Sequence, residues 1–512
     1  MPNKQPSRNP SVVIIGAGMT GILMAVKLKE AGIRDIIILE KAQRLGGTWR
    51  ENTYPGITCD VPSHMYSYSF APNPEWTQRF AAGSEIQQYF EDVAERYAVT
   101  AHIHFNEAVT QCHYIASKWE LHTSQGHTLS ADLVVCATGI LHHPAYPNID
   151  GLEDFTGPCF HTARWDHSVD LAGKRVGIIG TGSTACQVIP QLQKTASHLS
   201  VFQRTAQWVA PQPNGRYDEK TRQKFRSREG YLAKVRRYQM RFFEETFSKA
   251  VIGRKFPHLL MSIVAKGNLL WQVRDRQLRR KLTPDYTVGC KRLIFSSLFY
   301  PALQQANVHL ETNEITGIEA NGVRTGDGQL HELDALVLST GFHPFNFMRP
   351  MDLRGRNGLS IDQAWQNKIQ AYRSVCLPEF PNFFLMLGPN TPIGNYSVIA
   401  MSETQGNYVM QLIEAWRSGR LQTIEASEQA KQSFNTFLRK GMSNTVWLGG
   451  CNSWYLDADG DPVMWPYTWQ QWQSVMAEPE FNDFVATDTD AGSATRDPQH
   501  STAHTVPVSA QG

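Results

Sequence analysis

Two glycine-rich stretches in this chain have the spacing that brings backbone up to a phosphate. The first reads Gly16-Ala-Gly18-Met-Thr-Gly21, and the second reads Gly180-Thr-Gly182-Ser183-Thr-Ala185. In such a stretch the first glycine permits a tight turn and the second lets main chain reach a pyrophosphate. The third small residue lets a helix pack closely on a strand. A helix that opens at the turn adds unpaired N–H groups and the positive end of its dipole. The residue about 20 positions downstream separates the two. After the first stretch it is Glu40, whose carboxylate can accept hydrogen bonds from a ribose 2′-OH. Arg204, followed by Thr205, stands in the matching place after the second. A carboxylate there would repel a 2′-phosphate, whereas a guanidinium binds it bidentately. The first site therefore suits an unphosphorylated ribose and the second suits NADP.

The elements that must position these residues are legible from hydrophobic pattern. Val12-Val-Ile-Ile15 is a buried parallel-type strand, Met19 to Ala31 is helical, and Ile36 to Leu39 is the next strand. Ser84 with Gln87 three residues on has the form of a capping box, opening a helix to about Tyr97. The second unit repeats the order, with strand 175–179, helix 183–192 and strand 199–202. Two apolar strands close on the same signal, Leu133 to Cys136 before Ala-Thr-Gly139 and Ala335 to Leu338 before Ser-Thr-Gly341. The echo predicts an α/β fold of two Rossmann-like dinucleotide-binding domains, the NADP domain inserted into the first, with a helical insertion. The predicted boundaries are 1–145 and 346–486 for the first dinucleotide-binding domain and 146–214 and 284–345 for the NADP domain. The helical insertion is 215–283, and 487–512, small and polar, reads as a disordered tail.

With 512 residues, two or three domains are expected, and 41% hydrophobic residues supply their cores. The formal net charge is only +2, yet residues 216–281 hold 19 Lys and Arg against 6 Asp and Glu. That stretch reads as solvated helix faces, whose field would also attract an anionic dinucleotide, and not as a nucleic-acid site. The eight cysteines are scattered, with no C-x-x-C pair, so no metal site or redox disulfide is expected and free thiols suit a cytoplasmic protein. Residues 12–26, the most apolar run, are broken by glycines and too short to span a membrane, so a soluble chain is expected.

A longer pattern carries a family resemblance. Phe155-Thr-Gly157-Pro-Cys-Phe-His161-Thr-Ala-Arg-Trp165-Asp166 has the form F-x-G-x-x-x-H-x-x-x-W-[PD] and lies between the two nucleotide units. A second pattern runs from Gly46-Gly47-Thr48-Trp49 through Tyr54-Pro55-Gly56 to Asp60, and further similarity covers Lys291-Arg292, Gly388-Pro389-Asn390 and Ser453-Trp454. In these residues the chain resembles the type I Baeyer–Villiger monooxygenases, within the flavin-containing monooxygenases, over nearly its whole length. The resemblance implies FAD on the first unit, NADPH on the second, and a C4a-peroxyflavin that attacks a ketone to give an ester or lactone with O2. It implies Arg292 as the catalytic arginine, Asp60 as its carboxylate partner, and Lys291 with Arg204 on the 2′-phosphate. Trp454 would lie near the nicotinamide, and His161 would link domain position to cofactor state. One departure is Asn395 after Gly394, where many relatives carry His.

Other readings of the same residues remain open at this point. The fold could oxygenate nitrogen or sulfur, and a sulfide is a natural side substrate for a ketone oxygenase. A thioredoxin-reductase-like enzyme needs a redox cysteine pair, and a nucleotide sensor or nucleic-acid binder leaves both longer patterns unexplained. The identity of the ketone and the oligomeric state are not legible.

Overall fold

The computed structural model describes residues 8–391, 396–451 and 453–485. Val12–Ile15 is buried along its full length, as befits the centre of a parallel sheet with both faces covered. It lies in the middle of five parallel strands, in the order Phe383–Leu385, Leu133–Cys136, Val12–Ile15, Ile36–Glu40 and Ile103–Phe105. The second sheet repeats the plan, with Arg175–Ile179 in the middle of Val308–Glu311, His198–Phe202, Ala335–Leu338 and Cys159–His161. In both sheets the neighbour of the central strand is the one that runs into Thr-Gly, at Thr138-Gly139 and Thr340-Gly341. All strands of the second sheet fall in sequence between Leu133–Cys136 and Phe383–Leu385 of the first. The fold is thus α/β, with one dinucleotide unit inserted into another.

Two connections carry the chain between the units, and they run side by side. The Ala145 N–H donates to the Gly341 carbonyl at 2.9 Å, and His343 N–H donates to the His143 carbonyl at 2.9 Å. Side chains reinforce the pairing, with His142 Nε2 2.7 Å from the Phe347 carbonyl and His143 Nε2 2.7 Å from that of Arg349.

Between Val209–Ala210 and its parallel partner Ile294–Phe295 the chain is helical, in Glu219–Ser227, Tyr231–Phe243, Lys255–Gln272 and Arg276–Lys281, with a π-helical turn at Glu244–Ser248. Among the described residues no helix is long and apolar enough to cross a membrane. The tail expected at 487–512 lies outside the described residues.

Two expectations are corrected. The helix expected to open with a Ser84–Gln87 capping box begins at Gly83, with Ala82 as its N-cap and no side-chain cap. Ser84 is thereby inside the first turn, and the Gln87 amide donates instead to the Leu45 carbonyl at 2.9 Å and to Glu91. The cysteines are not all free thiols, because Cys290 and Cys451, 161 residues apart, form a disulfide. No local spacing announces a pair that only tertiary packing brings together.

Candidate active site

The three glycines of the first turn differ in what a side chain there would meet. Gly16 has φ +105°, and a Cβ there would lie 2.7 Å from the Ala137 carbonyl oxygen. A Cβ on Gly21 would lie 1.9 Å from the Gly16 oxygen, so helix and turn touch backbone to backbone. At Gly18 the nearest atom is the Gly47 Cα at 3.6 Å, and the space beyond is open. Gly18 caps the Met19–Glu30 helix with no side-chain cap, leaving its first N–H groups for a ligand. Gly47, at φ +55°, brings the Gly46-Gly47-Thr48-Trp49 turn against this loop, and Trp49 Nε1 donates to Tyr66 Oη at 3.1 Å. Buried Glu40 accepts from Ala17 N–H at 2.8 Å and pairs with Arg50 at 2.8 Å. The arginine neutralises a carboxylate that would otherwise be costly at this depth.

The second turn is built alike. Gly180 has φ +108° and a Cβ would meet the Ser339 oxygen at 2.4 Å, while a Cβ on Gly182 would meet nothing within 4 Å. The helix Ser183–Thr195 opens there, again without a side-chain cap. Exposed Arg204 makes no ion pair among the described residues and lies close enough to Lys291 to depress its ionisation. Burial first and Arg204 second push the Lys291 ammonium below the ordinary lysine range, against the pull of Asp285. Two neighbouring cations, neither in an ion pair among the described residues, fit the 2′-phosphate of NADP.

The loop after the Thr48–Glu51 helical turn joins the two units. Tyr54 Oη donates to Gln187 Oε1 at 3.0 Å, and Gln187 Nε2 donates to the Thr58 carbonyl at 3.0 Å, so the loop is anchored to the second unit's helix. Asp60 comes next and meets Arg292 in a fork, with Nε 2.9 Å from Oδ2 and Nη2 2.8 Å from Oδ1 and 2.7 Å from Oδ2. Burial works against the Arg292 charge, but Asp60, with Tyr455, outweighs it and holds the guanidinium above the ordinary arginine range. The Cys290–Cys451 bond ties the segment carrying Lys291-Arg292 to the one carrying Trp454-Tyr455. Trp454 packs edge-on against Tyr455 and lines an apolar pocket with Ile140, Phe345, Phe347, Leu387, Pro389 and Met464. Asn395 lies outside the described residues.

Of the residues in the F-x-G-x-x-x-H-x-x-x-W-[PD] pattern, His161 sits at the crossing between the units. His161 ends the edge strand of the second sheet, and its Nδ1 accepts from Ala163 N–H at 3.0 Å. Its ring lies between Tyr146 and Phe342, one from each connection. Burial lowers its pKa to about 4, with the Gly341 backbone opposing, so the imidazole is neutral at pH 7. Phe155 is buried, and a Cβ on Gly157 would clash with the Asp334 oxygen at 2.7 Å. Trp165 packs on Phe160, and exposed Asp166 closes a local turn by accepting from Ser168 N–H and Oγ. Sequence reasoning missed Arg50, Gln187 and the ion pair Arg164–Glu51 at 3.0 Å, which crosses between the units. A polar residue on a helix face carries no sign of which loop it will meet.

Residues 13–246 match the family model described as pyridine nucleotide-disulphide oxidoreductase. The chain is 46% identical over 472 residues to an uncharacterized monooxygenase of Mycobacterium tuberculosis (strain ATCC 25618 / H37Rv), covering 92% of this chain and 94% of that one. It is 39% identical over 480 residues to a Baeyer–Villiger monooxygenase of Streptomyces coelicolor, covering 91% and 90%. Among solved structures, that of OTEMO in complex with FAD and NADP superposes with a TM-score of 0.83 at 26% identity, over 92% of this chain and 97% of that one.

Proposed function

The chain belongs to the Baeyer–Villiger monooxygenase family, and from that premise we propose that it uses FAD and NADPH to convert ketones to esters or lactones with O2. The observation that carries the reading is the forked Asp60–Arg292 pair at the junction of two nucleotide units, with Lys291 and Arg204 beside it. Gly16, Gly18, Gly21, Glu40, Gly47, Thr48 and Trp49 would hold FAD. Gly180, Gly182, Ser183, Arg204, Thr205, Lys291 and Trp454 would hold the nicotinamide cofactor. Bound FAD supplies hydride acceptance and oxygen activation, chemistry that no side chain provides.

The chain's own residues supply position and charge. Arg292 stays protonated across the physiological range, so it stabilises negative charge developing on oxygen as the carbonyl is attacked, and it cannot lose its proton in doing so. Asp60 fixes the plane of that guanidinium. The pocket beside Trp454, lined mainly by apolar side chains, would accept a ketone, and a sulfide would enter it as a side substrate. Neutral His161 acts as neither acid nor base in the reaction; its ring packs against both connections and so sets how the units meet. A cofactor that is regenerated inside the cell supports a cytoplasmic reaction. Incubation with NADPH and 18O2 on linear, cyclic and aryl ketones tests the reading: labelled ester is expected from at least one class. Unlabelled substrate throughout, from flavin-loaded enzyme that oxidises NADPH, overturns it.

A further inference from the structure

The helix Lys255–Gln272 is amphipathic twice over. Its inner stripe, Met261, Ala265 and Leu269 with Asn268, is buried against the second nucleotide unit. Its outer face is apolar as well: Phe256, Leu259, Leu260, Ile263, Leu270 and Trp271 recur at helical spacing and all face solvent. Exposure reaches 69% at Phe256, 58% at Ile263 and 78% at Trp271, far from the partly covered state of ordinary surface aromatics. A contiguous apolar face of this kind on a folded chain marks an interaction surface.

The charge around it selects the partner. Between residues 254 and 281 stand eight Lys and Arg, among them Arg254, Lys255, Lys266, Arg274 and Arg276, against the single carboxylate of Asp275. Asp275 is itself engaged in capping the next helix through Leu278 N–H. Among the described residues none of these eight cations is in an ion pair. An apolar face with a Trp at one end and unpaired cations at its borders fits a helix lying in the plane of an anionic bilayer surface. A second copy of the chain fits less well, because a two-fold contact through this face would set like charges against each other.

We propose that Lys255–Gln272 docks the enzyme on the surface of anionic phospholipid membranes, apolar face down, with the flanking Lys and Arg on the lipid phosphates. The inference is independent of the assigned reaction. Flavin-loaded full-length enzyme should co-sediment with vesicles of phosphatidylcholine and phosphatidylglycerol, and far less with phosphatidylcholine alone. Lys255→Gln/Lys266→Gln/Arg274→Gln should cut partitioning roughly 100-fold, since each basic residue near an anionic surface contributes about fivefold. Phe256→Ser/Ile263→Ser/Trp271→Ser should abolish it while bound flavin and NADPH oxidation in solution stay at wild-type levels. Failure of the wild type to bind anionic vesicles overturns the proposal. So does vesicle binding that survives the serine triple variant, or a dimer in sedimentation velocity that dissolves in that variant while vesicles capture neither form.

Discussion

Arg292 and Asp60 are far apart in the chain yet meet through three short contacts, and a double-mutant cycle asks whether they act as one device. Loss of a preorganised donor facing a developing oxyanion typically costs about 100- to 1000-fold, or roughly 3–4 kcal/mol. Arg292→Ala should therefore form almost no ester, while NADPH oxidation continues and hydrogen peroxide accumulates. For Asp60→Ala the structure narrows the range. The two side chains are 31% and 22% exposed, between a solvated ion pair and a buried one. Breaking the pair should cost about 1–3 kcal/mol, or roughly 5- to 150-fold in ester formation. If Asp60 acts only by orienting Arg292, then Asp60→Ala made in the Arg292→Ala background should change the residual rate less than about twofold. The assay is ester by gas chromatography at saturating NADPH, with flavin reduction followed by stopped flow on the same variants. Strictly additive losses would separate the two residues, and near-wild-type ester from Arg292→Ala would refute the assignment of the site.

Other contacts set further outcomes. Arg204→Ala should lower kcat/KM for NADPH by about 10- to 100-fold, the worth of a charge-assisted contact to phosphate, and leave NADH nearly unchanged; equal losses with both cofactors would show that Arg204 does not face a phosphate. Gly18→Val should purify folded but poor in flavin, whereas Gly21→Ala should fail to fold, because only the latter drives a Cβ into backbone, at 1.9 Å from the Gly16 oxygen; absorbance at 450 nm (about 1 flavin per chain in the wild type) and circular dichroism read the two apart. His161 is kept neutral in the fold with a pKa of about 4, below its ordinary value, so its contribution to stability is present above pH ~6.5 and is lost as pH falls toward 4. His161→Asn should remove roughly 2–3 kcal/mol of that acid sensitivity in urea titrations between those limits. Alkylation after denaturation should label six thiols, and all eight cysteines only after reduction, if Cys290 and Cys451 are bonded as found.

How much of this was readable in the chain depends on the range of each interaction. The glycine turns, their strands and the Thr-Gly strands are set by neighbours within a few tens of residues, and the strand Ala335–Leu338 falls where its pattern puts it. The forked pair of Asp60 and Arg292 emerged from resemblance alone, since nothing in either residue's surroundings names the other. The cystine, the Arg50 partner of Glu40 and the Gln187 anchor of the Thr58 loop stayed hidden because each depends on two surfaces meeting. Ser84 misled for the opposite reason: a local signal was present, but the Gly83 N–H found the Ile57 carbonyl and the helix started two residues sooner, with Ala82 in place of Ser84 as its N-cap.

The interleaving of the two sheets also has a consequence for how the molecule is made. Four strands of the first sheet leave the ribosome before residue 140, but the fifth, Phe383–Leu385, must wait until every strand of the second sheet has been synthesised. During that interval Leu133–Cys136, an apolar strand, has one edge without its final partner. The inserted unit has all its own strands once Leu338 emerges, so it can close first, as a domain nested in an unfinished one. Its two ends lie side by side where residues 143–145 pair with 341–343, which brings the returning chain back to the open edge it must fill.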